Sequence, residues 1–177
     1  VDNIKYAFDI QNEKLDAKLS NISSFAKDTI IELRDTIWAM NKSQISFEDL
    51  QTRIHNFVDK AKEVKQEIQF NFFVDSDLKD RKFSSIEGMN IYRTIQEAIH
   101  NSIKYAEAKN IDIKVKKLGT QIAIEIKDDG KGFDVINNKS LGIGLKNMKN
   151  RAEAMNGEIS IVSERDKGTT IKLKIPI

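Results

Sequence analysis

The latter half of this 177-residue chain holds four short segments whose side chains could handle phosphate, a divalent cation and a flat hydrogen-bonding ring. The first is Glu97-x-x-x-Asn101-x-x-Lys104-Tyr105. On a helix of 3.6 residues per turn, Glu97, Asn101 and Lys104 fall within about 60° of one another. They lie roughly 120° from the centre of an apolar stripe made by Ile91, Ile95, Ala98, Ser102 and Ala106. A carboxylate, an amide and an ammonium then line one groove. Magnesium takes oxygen ligands and keeps several waters, so one amide oxygen, a nearby carboxylate and phosphate oxygens would suit it. A solvated Glu/Lys face uses the same letters.

The second segment, Asp128-x-Gly130-x-Gly132, is expected just past the end of a buried strand, Ile122 to Ile126. A carboxylate there can accept a hydrogen bond from an adenine amino group, while the glycines let backbone approach the ring and adopt positive φ. An ordinary turn is the competing reading. The third, Gly142-x-Gly144-Leu145, opens a helix carrying Leu145, Met148, Ala152 and Met155. A glycine-rich helix start presents free N–H groups and a positive dipole end to phosphate, although capping glycines look alike. Between Phe133 and Leu141 the chain is polar and could close over a bound nucleotide as a lid. Gly168-Thr169-Thr170 is the fourth segment. Their order suits one ligand, Mg-ATP.

The elements that must position these segments can be read from hydrophobic period. Leu15, Leu19, Ile22, Ala26, Thr29, Leu33, Thr36 and Met40 alternate steps of four and three, a heptad seam that predicts a long helix. Phe25, Ile30 and Ile37 broaden the stripe, which favours a bundle with several neighbours, most simply a dimeric one. Asp2 to Ile10 also reads as helical, joined to the seam through Gln11-Asn12-Glu13 as the end of a preceding antiparallel helix. Because Val1 enters directly into that pattern, the chain reads as a fragment of a longer protein. Asn41-Lys42-Ser43-Gln44 breaks the seam, and a domain boundary is expected near residue 45. This gives a partial helical dimerisation region over 1–45 and a second domain over 46–177.

In the second domain, Ser46 caps a helix to about Glu63, with Asp49 completing an acidic capping box. A strand over Ile68 to Val74, a polar loop over 75–87 and a helix from about Gly88 to Ala108 follow. Ile111 to Leu118 and Gln121 to Ile126 read as a hairpin turning at Gly119-Thr120. A helix from Ile143 to Met155 and strands Glu158 to Ser163 and Thr169 to Ile175 complete the pattern. The fold class is α+β: a two-layer sandwich of a mixed, mostly antiparallel sheet covered by helices, preceded by a long bundle-forming helix.

Composition narrows the partners. Lys plus Arg total 29 against 27 Asp plus Glu, which gives no electrostatic reason to expect nucleic acid. The absence of cysteine removes disulfide and thiolate chemistry, and is compatible with a reducing cytoplasm. Two histidines are too few for a histidine-rich metal site. No apolar run approaches the roughly 20 residues that span a bilayer, so no direct membrane contact is expected of these residues.

In this order and at these intervals, the four segments resemble the nucleotide-binding domain of sensor histidine kinases, in the superfamily shared with Hsp90, gyrase and MutL. The resemblance covers about residues 46–177. It implies that Asn101 ligates magnesium, with Glu97 as a second candidate ligand that helps polarise the reacting groups. Lys104 would contact phosphate and Tyr105 would border the nucleotide. Asp128 would read adenine in a pocket shaped by Gly130 and Gly132. Gly142, Gly144 and Leu145 would form the hinge and phosphate end of the lid, and Thr169 and Thr170 would support the adenine pocket. Leu33-Arg34-Asp35-Thr36-Ile37-Trp38-Ala39-Met40 is similar to the end of the second dimerisation helix in the branch related to nitrate and nitrite sensors. Gly144-Leu145-Lys146-Asn147-Met148 and Arg151-Ala152 point the same way.

One departure limits the reading. The phosphoacceptor of that branch is a histidine followed by an acidic residue, on the first dimerisation helix. Here His55 precedes Asn56 and His100 precedes Asn101. The resemblance therefore implies the ATP-binding catalytic part of a cytoplasmic kinase region. It would transfer the γ-phosphoryl group to a histidine outside this fragment, and from there to an aspartate on a response regulator. The parent protein would be a homodimer and a membrane-bound sensor. Two alternatives stand beside it: an ATPase or serine kinase of the same superfamily, and a catalytically silent, nucleotide-controlled dimerisation module.

Overall fold

A computed structural model of the chain describes residues 13–135 and 142–177. The helix expected over Asp2 to Ile10 lies outside the described residues, as does most of the expected lid, from residue 136 to 141. The chain divides into two compact units, Val1–Lys42 and Ser43–Ile177. In the first, helix α1 runs Glu13–Met40, 28 residues long, or about 42 Å. Along it Leu15, Ile22, Phe25, Ile30, Leu33, Ile37 and Met40 stand exposed, Phe25 to 74% and Met40 to 78%. Asp35 and Ala39 are buried.

The second unit begins with a three-residue strand, β1 (Gln44–Ser46), and helix α2 (Phe47–Val64). Ser46 caps α2 as expected: the Asp49 N–H donates to Ser46 Oγ at 3.0 Å, and the Ser46 N–H donates back to Asp49 Oδ2 at 3.2 Å. This satisfies two of the donors a helix start leaves orphaned. Strand β2 (Gln69–Val74) follows. Residues 75–87, expected as loop, instead hold a 3₁₀ turn at Ser76–Leu78, strand β3 (Lys82–Ser84) and the start of helix α3 (Ser85–Asn101). β3 exists by pairing antiparallel with β1, so no local pattern announces it. A second capping box, Ser84 with Glu87, starts α3 three residues before the expected Gly88. Beyond Asn101 the chain widens into one π-helical turn, Ser102–Ala106.

Strands β4 (Asn110–Leu118) and β5 (Gln121–Asp128) form the expected hairpin, with Gly119 at φ 59° in its two-residue turn. Helix α4 (Ile143–Glu153) and strands β6 (Glu158–Ser163) and β7 (Thr169–Pro176) complete the unit. The main sheet has the order β2-β4-β5-β7-β6, with β2 parallel to β4 and every other pairing antiparallel. Strand alternation sends Ile111, Ile113, Val115, Ile122, Ile124, Ile126, Ile171, Leu173 and Ile175 to one face, and all are buried. Leu50 and Ile54 of α2, Ile91, Ile95 and Ile99 of α3, and Met148 and Ala152 of α4 are buried as well. The opposite face is polar, with Lys172 Nζ pairing Glu125 Oε2 at 2.9 Å across the β5–β7 ladder. The expected two-layer α+β sandwich is the observed one.

Candidate functional site

Burying Ile91, Ile95 and Ala98 against the sheet leaves Glu97 and Asn101 half-buried on another side of α3. Asn101 Nδ2 donates to Glu97 Oε1 at 3.3 Å, one helical turn apart. That bond uses the amide's donor and not its oxygen, so the pair offers carboxylate and amide oxygens side by side. The start of α4 abuts the same carboxylate, because a Cβ placed on Gly144 would collide with Glu97 Oε1. Lys104, in the π turn, is exposed, and its Nζ lies 5.1 Å from the centroid of the Tyr105 ring, itself 57% exposed.

A second cluster surrounds Asp128. Expected just past a strand, it is instead the last residue of β5, paired with Thr169 and opposite Ile111, and only 4% exposed. A carboxylate that dry needs donors. Oδ1 accepts the Gly130 and Thr169 N–H groups, each at 3.1 Å, and Oδ2 accepts the Ser102 hydroxyl at 2.7 Å. The glycines are where the chain cannot carry a side chain. A Cβ on Gly130 would strike the Ala106 carbonyl, which also accepts the Lys131 N–H at 2.8 Å. Gly132 (φ 56°) lies against the Glu164 carbonyl and Gly168 (φ 77°) against that of Asp128, so both positions need positive φ and a bare backbone.

Ser163 ties the last motif in. Its Oγ accepts the Phe133 N–H at 2.9 Å and lies 3.1 Å from the Gly168 carbonyl and 2.9 Å from Thr169 Oγ1. Thr169 thus joins the Asp128 cluster. Thr170 does not: alternation sets it across from Lys127 and Val162, on the face turned away from Asp128. Gly142 also stands apart, with open space where a Cβ would be, and Leu145 is half-buried in the first turn of α4. His100 is exposed, and exposed His55 packs edge-on to Phe72 at 4.7 Å.

Two flanking carboxylates are perturbed. Burial pushes Asp129 up, but hydrogen bonds from the Asn110 side chain and from the Asn110 and Lys109 N–H groups outweigh it and hold its pKa below the ordinary value. Glu107 is lowered by its hydrogen bond to Lys131 and by that ammonium's charge, at 2.7 Å. Among the described residues no three His, Cys, Asp or Glu side chains gather as a metal cage. The Glu97 and Asn101 oxygens fit magnesium's other habit, one or two protein oxygens completed by phosphates and water. Ser102 and Ser163 are the residues sequence reasoning did not single out. A serine in the apolar series that continues from α3 into the π turn was the available signal, since a buried hydroxyl requires a partner.

A family model described as histidine kinase-, DNA gyrase B-, and HSP90-like ATPase matches residues 87–177, just over half of the chain. Solved structures share the fold at low identity. The histidine kinase AdeS of Acinetobacter baumannii aligns at TM-score 0.67 and 15% identity over 94% of this chain and 86% of its own. The histidine kinase domain of the blue-light activated kinase of Erythrobacter litoralis EL346 aligns at 0.63 and 14%, over 76% of this chain and 64% of its own. The catalytic domain of the histidine kinase ThkA aligns at 0.61 and 15%, over 76% and 94%. This chain therefore spans less than two thirds of the Erythrobacter domain.

Proposed function

Because the chain belongs to the family of histidine kinase-, DNA gyrase B- and HSP90-like ATPases, we propose that its second unit binds Mg-ATP and transfers the γ-phosphoryl group to a histidine outside these 177 residues. An aspartate of a response regulator then receives it. The observation that carries this reading is the pairing of two clusters on one side of the sheet. A buried acceptor, Asp128, is held by three hydrogen bonds, and the Glu97 carboxylate, which accepts from the Asn101 amide, lies against Gly144 at the start of α4.

Each residue has a role in that scheme. Asp128 accepts from the adenine amino group, Thr169 and Gly130 hold that carboxylate in plane, and Gly132 keeps the approach open. Thr170 sits on the other face and has no direct part. Asn101 and Glu97 hold magnesium, which neutralises phosphate charge when bound; Glu97 also orients the attacking imidazole. Lys104 turns from the Tyr105 ring toward phosphate, and the Tyr105 ring borders the nucleotide. Gly144, Leu145 and the N–H groups of the first turn of α4 face the phosphates, with Gly142 as the hinge. Positioning and charge neutralisation supply most of the catalysis in phosphoryl transfer.

The exposed apolar seam of α1 supports homodimerisation, since a stripe of that width needs a covering surface. The Leu33 to Met40 segment supports the nitrate- and nitrite-sensor branch. No described helix is long and apolar enough to cross a membrane, and we assign the kinase region to the cytoplasmic side of a membrane-bound parent.

Asn101→Ala and Asp128→Asn should each abolish Mg-ATP binding by calorimetry, and unchanged affinity in both overturns the site. A chain extended upstream to include the acceptor helix should take up acid-labile phosphate. Acid-stable label would favour a serine kinase instead.

A further inference from the structure

We propose that Ser102 sets the nucleobase preference of this site as a positioning residue, acting through Asp128 to favour a 6-aminopurine over a 6-oxopurine. The inference rests on the ATP reading above and adds a determinant to it.

Ser102 is 4% exposed and occupies the apolar series that packs α3 on the sheet, where a hydroxyl is costly unless bonded. Two acceptors lie within reach, the Ala98 carbonyl at 3.2 Å and Asp128 Oδ2 at 2.7 Å. A serine has one hydrogen to give, and the shorter, charge-assisted bond takes it. The π turn begins at Ser102, so the helix widens at the residue that reaches Asp128.

A carboxylate offers about four lone-pair positions. Gly130 and Thr169 use two on Oδ1 and Ser102 uses one on Oδ2, which leaves a single position on Oδ2 for a ligand. With both oxygens held, that position is fixed in direction and can only accept. An exocyclic amine satisfies it, whereas a ring carbonyl brings an acceptor against an acceptor. Removing the Ser102 hydroxyl opens a second position on Oδ2 and frees the carboxylate to turn or to take a bridging water, which can donate to a carbonyl. Base discrimination then falls along with affinity.

The test titrates the full chain with ATP and with GTP, magnesium present, by calorimetry, with a thermal melt of each protein. Ser102→Ala should weaken ATP about tenfold, the loss of a hydrogen bond to a charged group, and should lower the ATP-over-GTP preference by a similar factor. Ser102→Thr, which keeps the donor, should hold both within about threefold. A merely structural role would weaken both nucleotides alike and leave their ratio unmoved. An unchanged ratio in a Ser102→Ala protein that melts like wild type overturns the proposal. Should that variant not fold, Ser102→Cys, a poor donor of similar shape, must lower the ratio or the proposal fails. Asp128→Asn separates the two claims. ATP binding lost there with the Ser102→Ala ratio intact overturns Ser102 alone, while ATP bound as in wild type by Asp128→Asn overturns the adenine contact and the Ser102 proposal with it.

Discussion

At the scale of single residues, the glycines divide by what a methyl group would meet. Gly144 faces the end of a flexible side chain, Glu97 Oε1, which can swing aside at little cost to the fold. Gly144→Ala should therefore leave the urea midpoint nearly unchanged, but it displaces a carboxylate we place beside the magnesium. Phosphoryl transfer should drop roughly 10–100-fold, as small misplacements do. Gly142 meets nothing, so Gly142→Ala should also leave the urea midpoint nearly unchanged and should slow phosphoryl transfer less than Gly144→Ala does; equal losses of transfer at both positions would refute this division. Gly130 faces a backbone carbonyl that cannot yield, and Gly130→Ala should cost about 2 kcal/mol or more of stability. Asp129 carries the pH prediction. Its folded pKa is depressed, so its contribution is full above the unfolded value of 3.8 and is lost as pH falls through the lower, folded value. Asp129 is exposed, and screening keeps that contribution to roughly a few tenths of a kcal/mol. Asp129→Asn should flatten the acid limb of the stability curve below about pH 4 and leave its slope near neutrality alone.

At the scale of elements, the helix that carries Glu97 and Asn101 depends on how it begins. The Glu87 N–H donates to Ser84 Oγ at 3.2 Å and the Ser84 N–H to Glu87 Oε2 at 2.8 Å, so the box holds both ends of the first turn of α3. Ser84→Ala should lower unfolding stability by about 1 kcal/mol in urea titration, and Ser46→Ala by a similar amount at α2. A change under about 0.3 kcal/mol at Ser84 would mean that the β1–β3 pairing, not the cap, holds the start of α3. Both boxes follow one rule, Ser-x-x-acid before an apolar run. The Ser84 box stayed hidden because the polar stretch before it reads as loop. What closes that stretch is the pairing of Lys82–Ser84 with Gln44–Ser46, a contact between segments far apart in the chain.

At the scale of the whole molecule, the exposed apolar residues of α1 make the strongest claim about assembly. If the seam is a homodimer surface, sedimentation equilibrium should report twice the 20.2 kDa chain mass at micromolar concentration. Phe25→Glu with Leu33→Glu should return it to the mass of one chain while leaving Mg-ATP affinity unchanged. A monomeric wild type across that range would rule the seam out as a self-association surface. The second unit has its own core, so its melting should survive those substitutions.

The long helices and the five strands of the main sheet, in their order, were legible in the sequence because hydrophobic period is a local property. The heptad seam, the Ser46 box, the Gly119 hairpin and the alternating strands each declare themselves within a dozen residues. The site motifs were legible for the same reason, each a short run of special letters. Only tertiary structure decided which of them meet. Which face of the sheet Asp128 occupies depends on strand register, which also turns Thr169 toward it and Thr170 away. That Gly144 touches Glu97, and that Ser102 gives its hydrogen to Asp128, depends on packing between segments distant in the chain. Such contacts arise when separate apolar faces are buried together, and no local pattern encodes them.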